Sequence, residues 1–102
     1  MITEHAALPT LAELEAAAIV VGRAFAPTPQ YRWPLVEARL GTRCWVKHEN
    51  HTPVGAFKVR GGLVYLEWLR AAHPTVTGVV TATRGNHGQS VAFAGRRHNI
   101  RS

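Results

Sequence analysis

Residues 45–62 have the sequence WVKHENHTPVGAFKVRGG. The segment begins as a strand and continues as a polar loop, which Thr52-Pro53 and Gly55 indicate because proline and glycine interrupt regular structure. A helix is predicted from near Ala56 to about Ala72, since apolar residues recur there at spacings of four and three: Val59, Leu63, Leu66 and Leu69. The sequence therefore predicts a strand–loop–helix unit.

Lys58 falls in the first turn of this predicted helix. A cation is unfavourable there, because the unpaired N–H groups and the helix dipole both repel positive charge. The position therefore favours a neutral amine, which is the form that a nucleophilic or Schiff-base lysine requires. The alternative from local sequence alone is a solvated helix lysine.

A second polar segment, TRGNHGQ at 83–89, follows a short apolar strand predicted at 78–82. Thr83 to Gly85 are predicted to turn, and a helix is predicted to start near Asn86 or His87. A strand, a glycine turn and a helix place backbone N–H groups where they can bind an anion. The alternative is an ordinary connection between a strand and a helix.

The segments GAFKVRG (55–61) and TRGNHGQ (83–89) resemble the lysine motif and the asparagine loop of the threonine dehydratase and serine racemase family, which are fold type II pyridoxal-phosphate (PLP) enzymes. They occur in the family's order and at about its spacing, and the resemblance extends from about Leu11 to the end. It implies pyridoxal 5'-phosphate as cofactor, Lys58 as catalytic and cofactor-binding lysine, and Phe57 and Asn86 as cofactor contacts. It also implies a substrate site formed by Thr83, Arg84, Gly85, His87 and Gln89.

The reaction implied by the resemblance is the conversion of L-threonine or L-serine to a 2-oxo acid and ammonia. Arg84 stands where racemases of this group carry serine, and a permanently charged guanidinium is a poor acid or base, so dehydration is favoured over racemisation. Arg84 also offers a partner for the second carboxylate of 3-hydroxyaspartate. Ala56 stands where many relatives carry serine. The open alternatives are a 3-hydroxyaspartate ammonia-lyase, a serine racemase-like enzyme, a non-enzymatic basic module that binds anions or nucleic acid, and an inactive truncated product.

The net charge is +6 with histidine neutral. We expect a small hydroxy-amino acid as partner rather than nucleic acid, because aromatic residues do not alternate with the arginines. We expect no membrane partner and a cytoplasmic location, since no apolar run could span a bilayer and Met1–His5 lack the basic start of a signal peptide. Cys44, the single cysteine, excludes an internal disulfide, and His48 and His51 lack the neighbours of a metal site, so no metal is expected.

The remaining elements complete an α/β pattern. A capping box at Thr10 and Glu13 begins a helix predicted to run from Leu11 to about Phe25, with Leu11, Leu14, Ala18 and Val21 on one face. Gln30 to Arg32 are predicted to be extended, 35–41 to form a short helical or extended piece closed by glycine, and Thr42 to Glu49 to form a strand. Strands that alternate with helices predict a parallel sheet with flanking helices.

Another strand is due at Ile100, close to the last residue. We therefore expect residues 1–102 to be an N-terminal fragment of a dehydratase-like catalytic domain, with 1–50 belonging to the larger domain and 51–102 starting the smaller one. The family's phosphate loop and pyridine-nitrogen partner have no counterpart here. We expect the isolated chain to be inactive and the full-length enzyme to be a homo-oligomer.

Overall fold

Four helices and two short strands form the described part of the chain, residues 7–102, in the computed structural model. This mixture is compatible with the predicted α/β class. The expectation for Met1–His5 lies outside the described residues. The elements in chain order are α1 (Leu11–Gly22), β1 (Gln30–Arg32), α2 (Pro34–Leu40), β2 (Trp45–Lys47), a 3₁₀ turn (Glu49–His51), α3 (Val59–Ala72) and α4 (Asn86–Arg97).

The two strands pair antiparallel, with Tyr31 opposite Val46. The strand predicted at 78–82 is reduced to one parallel bridge between Gly78 and Arg101. The bridge is held by the Val79 N–H, which donates to the Arg101 carbonyl at 2.7 Å. A strand needs a neighbouring chain along its whole length, and the described residues offer 78–82 a partner only near its start. The parallel sheet therefore stays a prediction.

Helix α1 begins with the predicted capping box, in which the Glu13 carboxylate accepts from the Thr10 N–H at 2.7 Å. The helix ends at Gly22, three residues before the predicted end. Of its predicted inner face only Val21 is buried; the other three residues, Leu11, Leu14 and Ala18, are exposed. The predicted face was too long because this helix contacts the core only at its C-terminal end, through Val20 and, just beyond the helix, Ala24 and Phe25.

The core lies between α3 and α4. The predicted stripe on α3 is confirmed, and Ala94 from α4 and Ile100 beyond it complete a buried cluster with Val59, Leu63, Leu66 and Leu69. Ala92 is exposed, because it lies on the other side of α4 from Val91 and Ala94. The helices approach closely at Gly62, where an added Cβ would lie 2.4 Å from the Ser90 hydroxyl oxygen.

Helices α2 and α4 end at different kinds of cap residue. Gly41 follows α2 in the left-handed conformation, as the predicted glycine closure requires. His98 is the cap residue of α4, and the next residue, Asn99, adopts the left-handed conformation at φ 54°. The turn after α4 is held by Arg70 of α3, whose guanidinium donates three hydrogen bonds to carbonyls of that turn and two more to carbonyls after α3.

Candidate active site

Lys58 and residues 82–87 line one cavity of about 760 Å³. The cavity therefore brings together six of the predicted site residues, which come from two distant parts of the sequence: Lys58, Thr83, Arg84, Gly85, Asn86 and His87. The other two, Phe57 and Gln89, lie outside this lining, and the Phe57 ring is 62% exposed. The lining contains basic side chains but no carboxylate, so its chemistry suits an anionic ligand.

Lys58 is the cap residue that precedes α3, so the helix begins at Val59 rather than near Ala56. The cause lies in the preceding loop. The buried Thr52 hydroxyl donates to the Ala56 carbonyl at 2.8 Å and accepts from the Ala56 N–H at 2.9 Å, which holds 52–56 as a closed turn. Gly55 permits this turn because its φ is 70°. The Lys58 side chain is exposed and faces the cavity.

The Lys58 carbonyl accepts two hydrogen bonds. One comes from the Gly62 N–H at 3.1 Å, within the first turn of α3. The other comes from the Ser90 hydroxyl of α4 at 2.7 Å. The second bond could not be predicted from the sequence, because serine on a helix most often bonds locally or faces solvent.

The loop before α4 is organised by Thr83. Its hydroxyl oxygen accepts from the Gly85 N–H at 3.0 Å and from the Gly88 N–H at 2.9 Å. Gly85 adopts φ 151°, and a Cβ on Gly88 would lie 2.5 Å from the Thr83 methyl group. Gly85 and Gly88 therefore allow the backbone of this loop to approach the Thr83 side chain. Within residues 7–102 the N–H groups of Asn86 and His87 are in no such bond, so they are the ones that can meet a ligand.

The two basic side chains of the loop differ in their surroundings. His87 Nε2 lies 2.9 Å from the Thr81 hydroxyl, so one edge of its ring is already engaged. Arg84 is exposed, lines the cavity and takes part in none of the ion pairs found among the described residues. Arg84 is therefore available to an anionic ligand.

A partly buried ion pair supports the segment around Lys58 from its other side. Arg60 donates to both carboxylate oxygens of Glu49, at 2.7 and 2.9 Å, and Thr28 donates to one of them. The hydrogen bonds from Arg60 lower the pKa of Glu49 to about 2, against the opposing effect of burial. The Arg60 guanidinium also lies 5.2 Å from the centre of the Phe25 ring. Sequence reasoning missed this pair, because no helical or strand spacing links the 3₁₀ turn to α3.

The histidines before the lysine loop serve packing contacts. His48 Nε2 accepts from the Trp33 indole N–H at 2.9 Å, and its ring centre lies 6.0 Å from that of His51. Across residues 7–102 no cluster of three or more histidine, cysteine or acidic residues could hold a metal ion. In the same part of the chain, every helix is too short or too polar to cross a bilayer.

Comparison with known proteins gives matches over most of the chain. Residues 21–102 match the family model described as pyridoxal-phosphate dependent enzyme. The chain is 32% identical over 75 residues to the biosynthetic L-threonine dehydratase of Haemophilus influenzae and 36% identical over 78 residues to that of Escherichia coli. Each match covers 74% of the chain and 14% of the relative. Serine racemase of Bos taurus is 32% identical over 93 residues, 89% of this chain and 28% of that protein.

Proposed function

This chain belongs to the family of pyridoxal-phosphate-dependent enzymes, and from that premise we propose that it carries the lysine and substrate loop of an ammonia-lyase. The proposed substrates are L-threonine and L-serine, and the products are a 2-oxo acid and ammonia. The names of the dehydratase relatives support this reaction. The chain spans about 14% of the length of those relatives, so the activity is proposed for the enzyme as a whole.

The residues around the cavity fit this cofactor. A phosphate ester that carries an aldehyde needs an amine, basic or N–H donors, and room for a ring. The cavity provides the Lys58 amine, the Arg84 guanidinium and the Asn86 amide. Its volume of about 760 Å³ lies within the range of about 300–1,000 Å³ that is usual for small-molecule sites. The observation that carries the proposal is that Lys58 and the Asn86 loop line the same cavity.

Each of these residues would have a separate role in the reaction. When bound, pyridoxal phosphate acts as an electron sink for an amino acid that loses its Cα proton. Lys58 Nζ is the group that would hold the cofactor and, once free and neutral, take that proton as general base. The Asn86 amide would orient the ring, as the family resemblance implies. The free N–H groups at Asn86 and His87 would bind the substrate carboxylate.

The test of this site uses the two lysines of the chain, Lys58 and Lys47. Titration with pyridoxal phosphate is expected to give a Schiff-base absorption band. The band should be lost in Lys58→Ala and kept in Lys47→Ala, whose lysine is also exposed but lies on β2. Equal bands in the two variants would contradict the proposal.

A second candidate substrate is favoured by Arg84. It lines the cavity with Lys58, carries a guanidinium group and is not paired to any carboxylate of residues 7–102. A 3-hydroxyaspartate ammonia-lyase would use it to bind the second carboxylate. In the complete enzyme, Arg84→Ala is expected to lower kcat/KM for 3-hydroxyaspartate far more than for threonine. An equal loss for both substrates would refute this candidate, and measurable racemisation of serine would favour the racemase-like alternative.

The remaining proposals concern organisation. We place 1–50 in a larger domain and 51–102 at the start of a smaller one, with a parallel sheet to which 78–82 and 100–101 contribute. The single parallel bridge between Gly78 and Arg101 supports this sheet. A cytoplasmic, homo-oligomeric enzyme remains a proposal of the same kind, and its oligomeric state can be measured by light scattering.

A further inference from the structure

Ser90 has an unusual place for a serine on a helix. Its side chain is buried, with 1% of the residue exposed, and its hydroxyl donates to the carbonyl of a residue 32 positions earlier, Lys58. That carbonyl already accepts the first hydrogen bond of α3, from the Gly62 N–H. The hydroxyl therefore does not complete α3. It joins the lysine turn to α4.

Gly62 makes this bond sterically possible. A Cβ on Gly62 would lie 2.4 Å from the Ser90 hydroxyl oxygen and 3.2 Å from the Ser90 carbonyl oxygen. The hydroxyl thus occupies space that only glycine leaves open, and the close packing restricts its rotamer. Ser90 also lies four residues after Asn86, about one turn further along α4. A fixed bond from Ser90 to Lys58 therefore fixes the lysine turn relative to the asparagine loop.

We propose that Ser90 is a positioning residue for the cofactor lysine: its hydroxyl holds the Lys58 turn in register with the Asn86 loop, so that both reach the same small ligand. The inference rests on the proposed function of Lys58. The lysine side chain is exposed and long, so little besides its backbone limits where the amine can go. An anchor on the Lys58 carbonyl restricts that region without engaging the amine.

The test measures capture of pyridoxal phosphate rather than turnover. The chain is incubated with increasing pyridoxal phosphate, reduced with borohydride and digested, and the labelling of Lys58 and Lys47 is quantified by mass spectrometry. Lys47 is an internal reference, because it lies on β2 away from the cavity lining. The variants are Ser90→Ala, Ser90→Cys and, as a control for stability, Ala94→Gly, which loosens the core of α4 without a Lys58 contact. Melting temperatures are recorded for all four proteins.

In the wild-type chain Lys58 is expected to be labelled at lower cofactor concentration than Lys47. Ser90→Ala should lower the ratio of Lys58 to Lys47 labelling by about three- to tenfold, which is the usual effect of one lost hydrogen bond. Ser90→Cys should fall between the two, because a thiol is a weak donor. Ala94→Gly should keep the wild-type ratio despite a lower melting temperature.

The outcomes separate the two proposals. A wild-type ratio near one would overturn the cofactor site and the role of Ser90 with it. Preferential labelling of Lys58 that survives in Ser90→Ala, or that falls equally in Ala94→Gly, would overturn the positioning role and leave the cofactor site standing.

Discussion

The ion pair between Glu49 and Arg60 should contribute measurably to the stability of the fold. Glu49→Gln keeps the shape of the side chain and removes its charge. The amide retains one acceptor oxygen. Its NH₂ group is a donor, so it cannot accept the second hydrogen bond that Arg60 donates to the carboxylate. One charge-assisted hydrogen bond is therefore lost, the other becomes an ordinary one, and Arg60 keeps a partly buried charge.

The magnitude can be bounded from the structure. The pKa of Glu49 falls from 4.5 to about 2, mainly through the hydrogen bonds from Arg60, which corresponds to at most about 3.5 kcal/mol. The side chains are 22% and 32% exposed for Glu49 and Arg60. Solvent weakens such a pair, and fully exposed pairs contribute less than about 1 kcal/mol. We therefore expect Glu49→Gln to lower the free energy of unfolding by about 1–2 kcal/mol at neutral pH.

The stability difference between wild type and Glu49→Gln should decrease as the pH falls. The folded pKa of Glu49 is lower than its unfolded value, so the pair stabilises the fold fully above about pH 4.5. As the pH falls from 4.5 toward 2, the unfolded state takes up the proton first, and the stabilisation is lost. The gap between wild type and Glu49→Gln should therefore narrow through this window and close below it.

Urea unfolding followed by far-UV circular dichroism measures both effects, at about pH 7 and about pH 3. Glu15→Gln is the matched control, because Glu15 is exposed on α1 and belongs to none of the ion pairs among residues 7–102. It should change stability by less than about 0.5 kcal/mol. A Glu49→Gln chain as stable as the control at neutral pH, or a gap that persists unchanged in acid, would refute the reasoning.

Three further changes have defined outcomes. Gly62→Ala should lower the free energy of unfolding by about 1–2 kcal/mol, because the overlap with the Ser90 hydroxyl outweighs the gain in helix propensity; Ser90→Ala in the same chain should recover part of the loss in a thermal melt. Arg70→Met should lower the free energy of unfolding, measured by urea denaturation, by at least about 2 kcal/mol, since several carbonyls after α3 and α4 lose a charged donor. Thr83→Val should lower the free energy of unfolding by about 1 kcal/mol. It should also speed amide hydrogen exchange at Gly85 and Gly88, whose N–H groups lose their acceptor.

Local patterns predicted the helices well. The apolar spacing on α3 gave its buried face, because a helix that packs on one side repeats its core residues every three or four positions. The capping box gave the start of α1, and the glycine at 41 gave the end of α2. The start of α3 was placed too early, since Thr52 holds Ala56 in the preceding turn through hydrogen bonds that no periodicity reveals.

Contacts between residues far apart in the chain could not be predicted from the sequence. The extended segment 78–82 has strand-like composition, but a strand is defined by its partner, and the structure offers it one bridge. The grouping of Lys58 with the Asn86 loop was expected from the family resemblance, not from spacing. The bonds from Arg60 and Ser90 join positions 11 and 32 residues apart, and neither distance corresponds to a helical or strand repeat.

These two bonds act on the same short segment from different elements. Arg60, two residues after Lys58, reaches back to the 3₁₀ turn, and Ser90 reaches across from α4 to the Lys58 carbonyl. The backbone of the lysine turn is thus restrained on both sides, while the lysine side chain itself is exposed. The role proposed for Lys58, to hold a ligand and to move a proton, needs this combination, because the amine would change partners while its backbone stays fixed. If Lys58 has the proposed role, Gly62 and the Glu49–Arg60 pair therefore support the backbone from which its side chain extends.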